Sequence, residues 1–242
     1  MRPVKTIRVL AIALLLLAGG WLIGRDGAAE HKPLGLFTSL PILWNEASDV
    51  AGLLKPDIQP HWAKAALQAR GDIVALDRLD ALASSGLTRL VIAQPRPLSP
   101  EENVALDNWV KRGGRLLLLA DPALTAESAF SIADRRRPQA VVLLSPILAR
   151  WGLRLEFDDA QIFGEHSVKV MDVAVPVNLP GRFQLSSGEN CRSWADGLAV
   201  SCGIAKGRVI ALADAAVLDQ EDPDGTRISA LDWLLSAAFA NH

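Results

Sequence analysis

From Thr88 to Pro122 the chain reads TRLVIAQPRPLSPEENVALDNWVKRGGRLLLLADP, one uninterrupted strand, loop, helix and strand. Leu90 to Ala93 form a short apolar run closed by Pro95 and Pro97, the pattern of a strand buried on both faces. Ser99, Pro100 and Glu102 supply an N-cap, a first-turn proline and a capping-box acid. Val104, Leu106, Trp109 and Val110 recur at helical spacing, and Gly113-Gly114 ends the helix. Arg115 opens a second apolar run, Leu116 to Ala120, which stops at Asp121-Pro122. A right-handed crossover between parallel strands is the common use of such a unit, and it predicts an α/β protein.

Other segments extend the alternation. Leu34 to Leu40 reads as a first strand, followed by a helix-like piece from Pro41 through Leu54. A helix over Trp62–Arg70, a strand over Ile73–Leu76 and a short helix starting at Leu79–Leu82 precede the central unit. Val142 to Trp151 reads as a helix. Residues 153–205 are β-rich and turn-rich, predicting a smaller lobe or edge hairpins. Val209 to Ala213 is a strand ending at Asp214. In the last helix, Ile228 to Phe239, one apolar face combines Ile228, Leu231, Leu234, Leu235 and Ala238. The expected architecture is a mostly parallel, flavodoxin-like sheet with helices on both faces. Residues 34–242 form that domain, with 123–205 as its divergent β-rich part, and residues 25–33 act as a polar tether.

The N-terminus reads as a targeting segment. Arg2, Lys5 and Arg8 precede an uncharged stretch from Val9 to Gly24, roughly 24 Å long as a helix at about 1.5 Å per residue. That suits a short membrane anchor, with a signal peptide cleaved near Ala28-Ala29 or a buried core helix as the alternatives. The positive-inside rule places the body outside the cytoplasm. The expected address is the bacterial inner membrane, single-pass, with the C-terminal domain in the periplasm.

Cys191 and Cys202 flank an Asp196-Gly197 turn between two candidate strands, so an oxidising compartment would allow a disulfide across that hairpin. Two buried, unbonded thiols are the alternative.

Chemistry is sparsely written in this chain. The formal net charge is −2, which gives no electrostatic case for nucleic acid. No G-x-S-x-G or G-x-C-x-G elbow occurs, and none of the four histidines follows a candidate nucleophile at a strand end. Gly113-Gly114 precedes a strand, the wrong order for a dinucleotide fingerprint. The acidic stretch Asp219–Gly225 fails the EF-hand spacing. No cofactor or metal is expected. Arg135-Arg136-Arg137 reads as a solvated loop, with contact to anionic lipid or a partner as the alternative. Ligands of open α/β sheets sit at strand carboxyl ends, which makes Ser39, Gln94 and Asp121 the candidate ligand-cleft residues, although Ser39 could serve as a turn residue and Asp121 as a cap instead.

The run VIAQPRPLSPEENVALDNWVKRGGRLLLLADP, residues 91–122, closely resembles the periplasmic module of gliding-motility-type ABC-transporter auxiliary proteins, within the class I glutamine-amidotransferase-like fold. GRVIALADAAVLD and the later LDWLL resemble that family's last strand and helix, whereas residues 123–205 match poorly. The resemblance implies a non-enzymatic extracytoplasmic module whose partners are the membrane, through residues 9–24, and an inner-membrane protein such as a transporter subunit. A small-molecule binding domain is the alternative, followed by a degenerate amidotransferase-like hydrolase.

Overall fold

The computed structural model describes residues 32–44, 46, 60–186, 190–219, 221–222 and 224–240. The candidate anchor at 9–24 and most of the helix-like piece through Leu54 lie outside these residues. Among the described residues no helix is long and apolar enough to cross a membrane.

The strands are β1 (Leu34–Thr38), β2 (Ile73–Ala75), β3 (Arg89–Ala93), β4 (Arg115–Leu119), β5 (Leu153–Glu156), β6 (His166–Val170), β7 (Val173–Val177), β8 (Arg182–Leu185), β9 (Cys191–Trp194), β10 (Ala199–Ile204) and β11 (Gly207–Leu212). The α-helices are α1 (Trp62–Gln68), α2 (Pro100–Lys111), α3 (Ser145–Arg150) and α4 (Thr226–Phe239), and a 3-10 turn spans Ala216–Leu218. Seven strands form the main sheet in the order β2-β1-β3-β4-β11-β10-β9. The first five are mutually parallel, and β10 and β9 continue the sheet antiparallel.

The chain steps from β1 outward to β2, then returns to the other side of β1 for β3 and β4. Right-handed crossovers in opposite directions place α1 and α2 on opposite faces. Accordingly α1 packs with α4 and α2 packs with α3. β3 and β4 are covered on both sides, and Leu90 to Ala93 and Leu116 to Leu119 are all buried, as their unbroken apolar runs require.

The start of α2 has both reciprocal bonds of a capping box, between Ser99 and Glu102. Its end is set by the glycine pair. Gly113 has φ +114, and a Cβ on Gly114 would lie 2.4 Å from the Trp109 ring. The Trp109 indole N–H donates to the Leu87 carbonyl at 2.8 Å, so the ring is held flat against Gly114.

Several elements differ from their expected form. Leu79 to Ser84 form turns rather than a short helix, and the Leu79 N–H donates to Glu102 instead of continuing a helical pattern. Val104 of α2 is 49% exposed, and its expected inward place falls to Asp107, whose carboxylate accepts from the Trp151 indole at 3.2 Å. Ile228 of α4 is 45% exposed while Arg227 is buried. The inward stripe therefore starts one residue earlier than the apolar pattern implies. Residues 153–205 divide three ways: β5 pairs with β8, β6 pairs with β7, and β9–β10 extend the main sheet as an edge hairpin.

Cys191 and Cys202 are direct cross-strand partners in β9 and β10, with Cα atoms 4.1 Å apart, and are joined by a disulfide.

Candidate functional site

The outward and return steps around β1 create a crevice at the carboxyl ends of β1 and β3, the location where open α/β sheets hold ligands. Ser39 follows β1, Gln94 follows β3 and Asp121 lies just beyond β4. The structure brings all three into one hydrogen-bonded network. The Ser39 hydroxyl donates to the Gln94 carbonyl and accepts the Gln139 N–H at 3.0 Å. The Gln94 amide nitrogen donates to the carbonyls of Asp121 at 3.1 Å and Gln139 at 2.7 Å. Its amide oxygen accepts the Asp121 N–H at 2.9 Å. Gln94 has φ 42, a left-handed backbone that turns the chain sharply at the strand end.

Segment 124–139 closes over this crevice. Leu124 N–H donates to the Ala140 carbonyl at 2.9 Å, and Ala129 N–H donates to the Glu46 carboxylate at 2.7 Å. Trp44 and Phe130 rings stack with centroids 5.7 Å apart. The basic run is held within this segment: Arg136 pairs with Asp134 at 2.7 Å and lies over the Phe130 ring, while Arg137 donates to the Phe130 carbonyl. Gln94 and Asp121 are consequently 0% and 1% exposed.

Beside this network lie two neighbouring strand-end carboxylates. Asp121 accepts the Ala123 N–H at 2.7 Å and the Ala215 N–H at 3.1 Å. Asp214 accepts the Asn178 N–H at 2.9 Å and the Ala216 N–H at 2.6 Å. Burial pushes the Asp121 carboxyl up to about 6, partly opposed by its two backbone donors. Asp214 rises well above the usual carboxylate range, first through burial and then through the Asp121 charge. Burial also raises Asp219, against the lowering effect of Arg227. Two carboxyls this close in a dry site favour retention of a proton by the pair.

Arg227 is the functional-looking residue that the sequence reading missed. Its Nε donates to the Ala216 carbonyl at 3.1 Å, while its Nη2 pairs with Glu165 and lies 3.6 Å from Asp219. Asp222 accepts the N–H groups of Arg227 and Ile228, so the acidic stretch serves to cap α4. A cavity of about 350 Å³ opens here, lined by Glu127, Asn178, Asp219 and Arg227 among others. A wider one, of about 570 Å³, is lined by Phe157, Gln161, Arg182 and Asp196 among others.

The His61 imidazole is engaged at both nitrogens, with the Leu218 carbonyl at 3.1 Å and the Ala63 N–H at 3.1 Å, and burial lowers its proton affinity. His166 is exposed and contacts the Gly164 carbonyl at 3.2 Å. Ser39 thus has a backbone carbonyl, not an imidazole, as its acceptor. Among the described residues no group of three or more His, Cys, Asp or Glu side chains is placed to hold a metal.

The sheet is that of a largely parallel α/β domain whose switch-point crevice is filled by its own side chains. Residues 59–174 match the model of a family described as an ABC-type uncharacterized transport system. The match includes residues 91–122 and continues through 123–174, which the sequence reading took as divergent. The resemblance seen in residues 207–219 lies beyond its end. No curated protein matches the sequence.

Among solved structures, the N-terminal domain of mmIFT52 is similar at 12% identity and TM-score 0.52, covering 87% of this chain and 99% of that one. This likeness is one of fold. The exo-β-1,4-mannosidase Op5Man5 from Opitutaceae bacterium strain TAV5 aligns at 14% identity and TM-score 0.48 over 90% of this chain, which spans 38% of the mannosidase. A thua-like protein from Bacteroides uniformis ATCC 8492 aligns at 10% identity and TM-score 0.48, over 90% of this chain and 96% of that one.

Proposed function

We propose that this protein is a non-catalytic accessory module of an ABC-type transport system, held at the inner membrane through residues 9–24 with its α/β domain in the periplasm. The observation that carries the reading is the family match over residues 59–174. The filled crevice supports it: Ser39, Gln94 and Asp121 spend their hydrogen-bonding capacity on one another and on nearby backbone. The Cys191–Cys202 disulfide is in keeping with an oxidising compartment. The gliding-motility-type and amidotransferase-like assignments belong to this proposal and rest on residues 91–122 and 207–219.

The test is affinity purification of the tagged full-length protein from solubilised native membranes, followed by mass spectrometry. Co-purification of transporter subunits supports the reading, and a preparation without any specific partner contradicts it.

Small-molecule binding is the second reading. It is favoured by the cavity of about 350 Å³ beside the buried Arg227 guanidinium. A ligand screen read by thermal unfolding would show stabilisation that Arg227→Ala removes.

A further inference from the structure

The two edges of the main sheet differ in character. Its carboxyl edge carries the buried acids Asp121 and Asp214 together with Asp219. Its amino edge is basic. Arg89 and Arg115 open β3 and β4, Arg208 is the second residue of β11, and the three are direct register partners, Arg89 with Arg115 and Arg115 with Arg208. Neighbouring strands lie about 4.8 Å apart, so this alignment brings three cationic residues into one row.

Two further elements bring more positive charge to that edge. The Lys206 N–H donates to the Lys111 carbonyl at 3.3 Å, and the Arg208 N–H donates to the Gly114 carbonyl at 3.2 Å. These bonds clamp the β10–β11 turn onto the end of α2. The contact is tight enough that a Cβ on Gly207 would fall 2.0 Å from the Val110 carbonyl oxygen. The result holds the backbone of the β10–β11 turn, with Lys206 and Arg208, against the C-terminal end of α2, with Lys111 and Arg112.

Part of this charge has structural employment. Arg115 donates to the Ala240 carbonyl at the end of α4, and Arg89 lies over the Phe239 ring. Lys111 pairs with Asp107 at 2.8 Å. Of the flanking acids, Asp107 also meets Arg150 and Asp232 pairs with Arg70, while Asp72 lies exposed at the β1–β2 end of this edge, away from β4 and β11. Arg112, Lys206 and Arg208 differ. Among the described residues none of them is paired with a carboxylate, and Arg112 and Lys206 are exposed. Several cations gathered at one edge raise the local positive potential, which an anionic partner would relieve.

We propose that this amino edge, centred on Arg112, Lys206 and Arg208, docks on a surface of anionic phospholipid headgroups. Charge complementarity selects the surface, and the chain enters the domain at this edge. β1 begins at Leu34 on this same edge. The segment 25–33 is nine residues long by its numbering, and spans at most about 30 Å when extended. The inference rests on the membrane reading of residues 9–24. The lipid contact would orient the domain with its carboxyl edge outward, available to a protein partner.

The experiment uses full-length protein reconstituted in vesicles of phosphatidylcholine alone, or of phosphatidylcholine with phosphatidylglycerol. Flotation is measured first, then amide hydrogen exchange at residues 111–115 and 204–208. Flotation with both vesicle types supports the anchor. Slower exchange at the two segments only in the anionic vesicles, reversed by high salt, supports docking. The triple variant R112Q/K206Q/R208Q should float equally but lose that protection, with about a fivefold loss of headgroup attraction per charge. The salt reversal in the unaltered protein keeps the test valid if the variant fails to fold. Equal exchange in both vesicle types despite flotation overturns the docking surface while leaving the anchor intact. Failure to float with neutral vesicles overturns the anchor. Protection by soluble glycerol phosphate, without vesicles, overturns lipid docking in favour of a small anion.

Discussion

The Gln94 side chain pairs with the Asp121 backbone at two points, accepting its N–H at 2.9 Å and donating to its carbonyl at 3.1 Å. A side-chain amide here substitutes for the backbone of an additional strand residue, tying the end of β3 to the end of β4. Both groups are buried, so deleting the amide leaves unsatisfied polar atoms in a dry site. Gln94→Ala should lower unfolding free energy by about 2–4 kcal/mol, measured by urea denaturation. A change under about 0.5 kcal/mol, the range of an ordinary surface substitution, would contradict this structural role.

The carboxyl pair predicts an unusual pH response. An unfolded Asp titrates near about 3.9, whereas burial raises Asp121 to about 6 and also raises Asp214 well above that range. The folded state therefore binds their protons more tightly, and their contribution to stability is lost as pH rises from about 4 through 6 and beyond. Asp121→Asn should flatten the fall in stability between pH 4 and 7 in denaturation curves. An identical slope in variant and parent would rule out this titration.

Glu102 works in the opposite direction. Its carboxylate is buried and accepts from Arg96, from the Ser99 N–H at 2.9 Å and from the Leu79 N–H at 3.1 Å. Arg96, first among these, helps hold its carboxyl down at about 2. The stability it contributes is present above about 4.3 and is lost as pH falls toward 2. Glu102→Gln should cost about 1–3 kcal/mol at pH 7 and much less at pH 2.5, by denaturation at the two pH values.

The disulfide closes an edge hairpin with a sequence separation of 11. The chain-entropy account assigns such a loop about 3 kcal/mol. Reduction, or a Cys191→Ala/Cys202→Ala double variant, should lower thermal stability by that order. Exchange should rise first in β9, which has a neighbour on one side only. Unchanged melting on reduction would contradict the assignment.

The central crossover was legible because several local signals agree there: capping box, amphipathic spacing, glycine stop and two unbroken apolar runs. The terminal helix was legible too: Leu231, Leu234, Leu235 and Ala238 are buried on its expected inward face, and Ile228 alone turns outward, its place taken by Arg227. Arg227 turns inward toward Glu165 and Asp219, and charge pairing across distant segments leaves no trace in hydrophobic periodicity. Asp107 is buried for a similar reason, since its partner Trp151 lies on the far side of α3 in sequence. Ser39, Gln94 and Asp121 could be grouped from strand ends alone. What they bond to depends on Gln139 and segment 124–139, whose irregular backbone carries no periodic signal. The amino-edge basic row was likewise hidden, because Arg89, Arg115 and Arg208 become neighbours only once the strand order is known.

Accessory function in transport is tested most directly by purifying the tagged full-length protein from native membranes and identifying its companions by mass spectrometry. The account predicts stoichiometric recovery of the subunits of an ABC-type transporter. Recovery of the protein alone, intact and folded, would contradict it.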